Sequence, residues 1–439
     1  MSRKILTRIA LLGLAALVLG WPGAARAVNL TPPWVVYDQG QEKAHPRWLA
    51  LPYAFYSESF SLAGGVAGGG SGYLQEQMVF FAAGLGSTNS TYAGYFYLVD
   101  VQAPYFSRLF FTVDFSNGYY TKHRIYAQGN PAYPNQQAGS NDSDKDNFLQ
   151  GKGWYSWFDL VGKYVLPIGA GRAKPIQRYW LKGGLLVDGA SGGWEWNPLT
   201  SGVSQIRLRL FEQSISVDGE AGDYSFRTNG ALVDFIYDNR DYPGDPSAGS
   251  YQSFTLSHDF GWFDSSGSWN NLELDLRKYF SLGRDQWFKQ KVVALNLWTA
   301  YSESWNVQNT SQGLEVEDRT PPNFGPTLGG FYRMRGYARN RFADKAAIYY
   351  GGELRLTARW NPLGGISWLK FADIDWMQFV LFAELGRVSD EYNLSEFVED
   401  LKWDGGVGFR IMAQKAVLRL DVAHSDEGFA AWAMVGHPF

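Results

Sequence analysis

Residues 325–345 read GPTLGGFYRMRGYARNRFADK, and residues 346–360 read AAIYYGGELRLTARW. The first stretch holds too much glycine and too much charge for a strand or an amphipathic helix. It carries Arg333, Arg335, Arg339 and Arg341. Arginines in a glycine-rich loop need carboxylate, phosphate or water as partners, and a solvated surface loop is the plain alternative. The second stretch alternates: Leu354, Leu356 and Trp360 oppose Glu353, Arg355 and Arg359. Successive residues of a strand face opposite sides, so this strand has one aliphatic face and one charged face.

The same two-faced pattern recurs outward along the chain. In NNLELDLRKYFSL, Leu272, Leu274, Leu276, Phe280 and Leu282 oppose Asn271, Glu273, Asp275 and Arg277. In AVLRLDVAH, Leu418, Leu420 and Val422 oppose Arg419 and Asp421. From Leu51 onward the chain is a succession of strand-length segments separated by turn signals. The first is taken as one strand, LPYAFYSESFSLAGGV, ending in a glycine-rich run from Gly64 to Gly72. RYWLKGGLLVDG at 178–189 is counted as another. Asn117-Gly118 is either a hairpin turn or a bulge within one long strand; the bulge makes the total sixteen, the turn seventeen. Single-chain bacterial barrels have even strand numbers, so the bulge is preferred. The polar loop at 127–152 falls on an unassigned side.

Composition agrees with a membrane barrel. Aromatic residues make up 17%, with 50 glycines, 18 tryptophans and no cysteine. Without cysteine there is neither a disulfide framework nor a thiolate metal site. Beyond the N-terminus no run of 18 apolar residues exists, which excludes a helical membrane protein. A soluble sandwich would share the period, but not so many strands with charge of both signs on one face. The fold expected is all-β, a 16-stranded antiparallel transmembrane β-barrel with a long loop folded into its lumen.

Residues 1–27 read as a secretory signal: Arg3, Lys4 and Arg8, then an apolar core, then Ala25-Arg26-Ala27. Its removal takes four positive charges and no acid, moving the net charge from −4 to −8. No basic face suggests nucleic acid. Residues 28–49 are expected to form a short periplasmic segment and 50–439 the barrel.

Loop and strand together resemble the BamA/TamA-like outer-membrane assembly factors, the bacterial surface antigen family. The tip Arg335-Gly336-Tyr337, preceded by Leu328-Gly329-Gly330, matches the Arg-Gly-aromatic tip that this family folds into its barrel. The resemblance implies that Arg335 meets lumen carboxylates on the next two strands, at Glu353 and Glu384. The 28–49 segment leaves no room for the periplasmic POTRA domains such proteins usually carry. What the resemblance implies is a monomeric protein of the Gram-negative outer membrane, contacting lipids and lipopolysaccharide. It would help insert or export protein or lipid through a lateral seam between the first and last strands, with unfolded outer-membrane proteins as clients. The seam is placed at Tyr53, Phe55, Val435 and Phe439; Phe439 also resembles a barrel-ending aromatic. A solute-conducting pore is the alternative. No cofactor is expected.

Three weaker motifs complete the reading. Asp238-Asn239-Arg240-Asp241 closes a strand and resembles an acidic-x-Arg-acidic step of these barrels, or is simply a charged strand end. Gly189-Ala190-Ser191-Gly192-Gly193 matches G-x-S-x-G but lacks the following helix that a nucleophile elbow requires, so no enzyme is expected. Asp142, Asp144 and Asp146 start like a calcium loop, but Asn147 and Gly153 stand where glycine and glutamate belong. No metal site is expected.

Overall fold

In the computed structural model, which describes residues 31–439 except 42–45, 58–59, 128, 194 and 311–312, the alternation becomes an inside-out protein. On the strand Asn270–Ser281, Asn271, Asp275 and Tyr279 are buried, whereas Leu272, Leu274 and Phe280 are 44%, 37% and 46% exposed. Soluble monomers rarely expose contiguous apolar area of this kind. A wall facing lipid does. The signal segment 1–27 lies outside the described residues.

Sixteen strands form one antiparallel sheet in chain order. They are Arg47–Ser57 (β1), Ser61–Ser71 (β2), Val79–Ser87 (β3), Tyr92–Gln102 (β4), Leu109–Ile125 (β5), Leu149–Val165 (β6), Val203–Gly219 (β7) and Gly222–Asp238 (β8). Then follow Gly249–Asp259 (β9), Asn270–Ser281 (β10), Phe288–Tyr301 (β11), Ala346–Ala358 (β12), Ile374–Ser389 (β13), Lys402–Ala413 (β14), Ala416–Ser425 (β15) and Gly428–Val435 (β16). Each strand is laddered to the next. Between β1 and β16 no ladder exists among the described residues.

The count of sixteen is reached by a different route from the one expected. The first predicted segment is two strands: Ser57 and Ser61 pair across a hairpin, and the glycines from Gly64 to Gly70 lie inside β2. Residues 178–189 leave the barrel altogether. There Gln177–Lys182 pairs in parallel with Trp34–Asp38 and antiparallel with Leu185–Asp188, making a three-stranded sheet of its own. Asn117 and Gly118 lie in unbroken register with Ser156 and Tyr155, so they form neither turn nor bulge. The irregularity of β5 falls between Tyr120 and His123.

An antiparallel meander puts alternate connections at opposite ends. The long connection 302–345, between β11 and β12, shares one end with 126–148, between β5 and β6, which settles the unassigned side. The three-stranded sheet shares the other end with residues 239–248. It covers that mouth as a cap. Tyr179 and Leu181 pack with Tyr242 of that connection and with Trp376, Met412 and Val417 of the far wall. Trp376 Nε1 donates to the Gly184 carbonyl at 3.1 Å. Lys415 Nζ lies 2.8 Å from both Asp38 and Asp375.

The lumen wall carries charges as neutralised pairs. Lys163 meets Asp100 at 2.6 Å, Arg207 meets Asp234 at 2.6 Å and Arg209 meets Asp159 at 2.8 Å. Taking such groups out of water is costly unless each is paired and hydrogen-bonded.

Candidate functional site

The loop 302–345 enters the lumen as a tight hairpin. Gly329 and Gly330 both have φ of +107°, a conformation side chains resist. Their N–H groups donate to the carbonyls of Arg333 and Met334 at 3.2 and 3.3 Å. The turn throws Met334 and Tyr337 against Trp298, Tyr349 and Val388 of the wall. Between these two apolar anchors stands Arg335, with none of its side chain exposed.

Arg335 is held by five residues. Its main-chain N–H donates to Glu384 Oε2 at 2.6 Å and its Nε to Glu384 Oε1 at 3.1 Å. Nη1 donates to Glu353 Oε1 at 2.8 Å and Asp421 Oδ2 at 2.9 Å. Its carbonyl accepts from Trp432 Nε1 at 2.7 Å. The guanidinium lies 3.5 Å from the centre of the Phe382 ring.

Glu353 also accepts from Arg410 and Arg355, at 2.7 and 2.8 Å. Asp421 accepts from Arg419 at 2.6 Å, and Arg419 in turn reaches the Phe331 carbonyl of the loop. Among the described residues Glu384 has no second cation. It accepts from the Tyr349 hydroxyl at 2.5 Å and sits opposite Asp404 in the β13–β14 register. Fixed donors and acceptors on five adjacent strands thus form a socket shaped for one planar cation.

Gly336 fits because nothing larger would. A Cβ there would stand 2.5 Å from the Asp404 Cβ and 2.9 Å from that of Ser425. Tyr337 donates its hydroxyl to Asp426 at 2.6 Å. Arg341 binds Glu427 at 2.8 Å and Ser143 Oγ at 3.0 Å, and Ala343 N–H donates to the Gly139 carbonyl at 2.7 Å. The 126–148 connection therefore clasps the root of the loop. All five loop-anchor residues named from sequence meet here.

The model of the Omp85 superfamily domain matches residues 193–427, more than half of the chain. The chain belongs to the Omp85 superfamily. It is an outer-membrane β-barrel of that superfamily. CdiB from Escherichia coli is similar in fold, with a TM-score of 0.51 and 9% identity over 89% of this chain. The alignment spans 61% of the CdiB chain. BamA from Haemophilus ducreyi lacking POTRA domains 1–3 aligns with a TM-score of 0.46 and 10% identity, over 89% of this chain and 70% of that one. No curated protein matches the sequence.

Not every predicted position of this Omp85 barrel falls where expected. Tyr53 lies in β1 and points inward, its hydroxyl on the Gly84 carbonyl at 3.3 Å. Phe55 lies in β1 opposite Ala63. Val435 ends β16, but Phe439 is not in that strand. The chain turns at Gly436, φ +83°, and Phe439 packs in the lumen on Tyr279, Val292 and Ala294 of β10 and β11. Arg355 Nη2 grips its main-chain oxygen at 2.8 Å. His437 bridges Asp245 at 3.1 Å and Arg410 at 2.5 Å. Residues 436–439 are an inward latch, because Pro438 cannot donate to a ladder.

The weaker motifs resolve into structure. Arg240, just beyond β8, bonds Asp238 at 2.6 Å, and Asp241 accepts the N–H groups of Tyr242 and Ser247, closing the 239–248 turn. Ser191 Oγ ties the cap to that turn through Tyr179 at 2.8 Å and the Arg240 carbonyl at 3.1 Å. Asp144 accepts from Asp146 N–H at 2.9 Å, and Asp142 faces Lys402 at 3.6 Å. Sequence reasoning missed Asp421, Arg410 and Trp432 as members of the socket. Asp421 could have been found, since it shares the polar face of AVLRLDVAH with Arg419.

Proposed function

We propose that this Omp85 barrel inserts or exports polypeptide, or moves lipid, at the outer membrane through the seam between β1 and β16. The observation that carries the reading is the missing ladder: fifteen strand neighbours are paired and these two edges are not, among the described residues. An unpaired edge is a template for an incoming strand. Two further features support a sideways route. Loop 302–345 fills one end of the lumen through Arg335, and the cap covers the other. β16 is short, with 8 residues against 16 in β13, so it has few bonds with which to hold a partner.

In this reading the signal at 1–27 is cleaved after export and the monomer sits among lipid and lipopolysaccharide. Its clients are unfolded outer-membrane proteins, and it makes and breaks no covalent bonds. The antiparallel directions put Val435 beside the start of β1 and Phe55 near the start of β16, so the pair that tests the seam lies elsewhere. Ala54 and Ala431 both face outward. Cysteines at Ala54, scanned against Phe429, Ala431 and Ala433, are expected to cross-link where the edges adjoin. The locked form should lose insertion or export activity and keep its fold. Full activity in the locked barrel would remove the seam and leave a solute-conducting pore as the better account.

A further inference from the structure

The lumen contains a second arginine site, separate from the Arg335 socket. A cavity of about 220 Å³ lies between the inner loop and the walls of β6 to β11. Five arginines and four carboxylates line it. Three of the arginines are spoken for: Arg207 by Asp234, Arg209 by Asp159, and Arg277 by Asp275 at 2.6 Å. The fourth carboxylate, Glu273, accepts from neutral donors, Asn271 Nδ2 at 2.8 Å and Trp298 Nε1 at 3.3 Å.

That leaves Arg333 and Arg339, both contributed by the loop. Neither has a carboxylate within 4.0 Å, nor a side-chain hydrogen bond, among the described residues. Arg333 lies over the Trp298 indole, its Cζ 3.7 Å from the ring centre. Arg339 is 5.9 Å from the Phe331 ring. Stacking fixes the plane of a guanidinium and leaves its N–H edge free for a second ligand. The cavity thus carries one more cation than anion, and its excess charge has unfilled donors.

We infer that Arg333 and Arg339 form a binding site for a small oxyanion, a phosphate or carboxylate solute taken from the aqueous lumen. Guanidinium edges match both groups in geometry. The volume is that of roughly seven water molecules, enough for inorganic phosphate or a small phosphorylated or carboxylic acid. Strands wall the cavity from lipid, so the occupant is a soluble one. Because both cations sit on the loop and Arg333 lies against Trp298 of β11, a bound oxyanion also ties loop to wall at a second point.

The test is calorimetric titration of the full chain in non-ionic detergent with inorganic phosphate, against chloride at matched ionic strength. Saturable one-to-one binding to phosphate is expected. Arg333→Gln and Arg339→Gln should each weaken it about tenfold or more, the loss of a charge-assisted hydrogen bond. Glu273→Gln should tighten it by removing the competing negative charge. Heat-dependent gel mobility shows whether each variant is folded. If a glutamine variant does not fold, Arg333→Lys and Arg339→Lys keep the charge and lose the planar fork, and weaker binding is again expected. No saturable phosphate signal in the unaltered protein, or unchanged affinity in folded variants of both arginines, overturns the inference. Neither outcome bears on the seam, since binding is read without any client.

Discussion

Replacing Arg335 by alanine removes three ion pairs, and the structure says which carboxylate suffers. Glu353 keeps Arg355 and Arg410, and Asp421 keeps Arg419. Among the described residues Glu384 keeps only the Tyr349 hydroxyl and the main-chain N–H of residue 335, with Asp404 directly opposite. Breaking a buried pair by removing one partner costs about 3–5 kcal/mol. Most of that cost should therefore fall on Glu384. A loss of about 3 kcal/mol shifts the loop-opening equilibrium by roughly a hundredfold. Protease cleavage within 302–345 of the folded barrel measures it. A double-mutant cycle then apportions it: Arg335→Ala with Glu384→Gln should couple strongly, and with Glu353→Gln weakly, because the latter glutamate is over-supplied with cations. Equal coupling to both, or none to Glu384, would refute the reasoning.

Other outcomes follow from the same geometry. Gly336→Ala should lift the tip off Asp404 and Ser425 and cost about 1–3 kcal/mol of overpacking, read as earlier unfolding of the heat-modifiable form. Lys415→Met strips the cation shared by Asp38 and Asp375 and should release the cap, exposing the 183–184 turn to protease while the barrel persists. The latch should respond to pH with two opposed slopes. Burial raises the Asp245 pKa from 3.8 to about 6, so its contribution to stability is greatest below pH 4 and is lost as pH rises through about 6. Burial, then the neighbouring Arg355 and Arg410, hold His437 well below 6.5, so its contribution is lost as pH falls below 6.5. Asp245→Asn should leave a barrel whose stability only declines toward acid, and His437→Gln one whose stability only improves; parallel profiles would refute the pairing.

Alternation carried the wall of the barrel, since inward charge and outward aliphatics are local facts. Pairing partners are not local. RYWLKGGLLVDG has the length and turn chemistry of a barrel strand, and its departure to Trp34–Asp38 is decided by contacts with Trp376 and Met412 on the far wall. LPYAFYSESFSLAGGV reads as one strand because Ser57 to Ser61 contains no glycine, proline or asparagine to mark the hairpin. The two misreadings offset each other in the strand count. Arg335, Glu353 and Glu384 were legible from residue type, face and family resemblance together. The third carboxylate on Arg335, Asp421, shows its inward face in the sequence, but its meeting with Arg335 depends on the register of two more strands.

The two edges of the seam are fastened by different devices at the two rims. Residues 34–38, which precede β1, are stitched into the cap, and residues 436–439, which follow β16, are latched onto Tyr279 and Arg355. At the opposite rim the β15–β16 turn hangs from the inner loop, through Asp426 to Tyr337 and Glu427 to Arg341. Any parting of β1 from β16 at that rim therefore begins with the loop letting go of the turn. The loop would act as a bolt on the leading end of β16, and its withdrawal would free that edge for an incoming strand in the same movement.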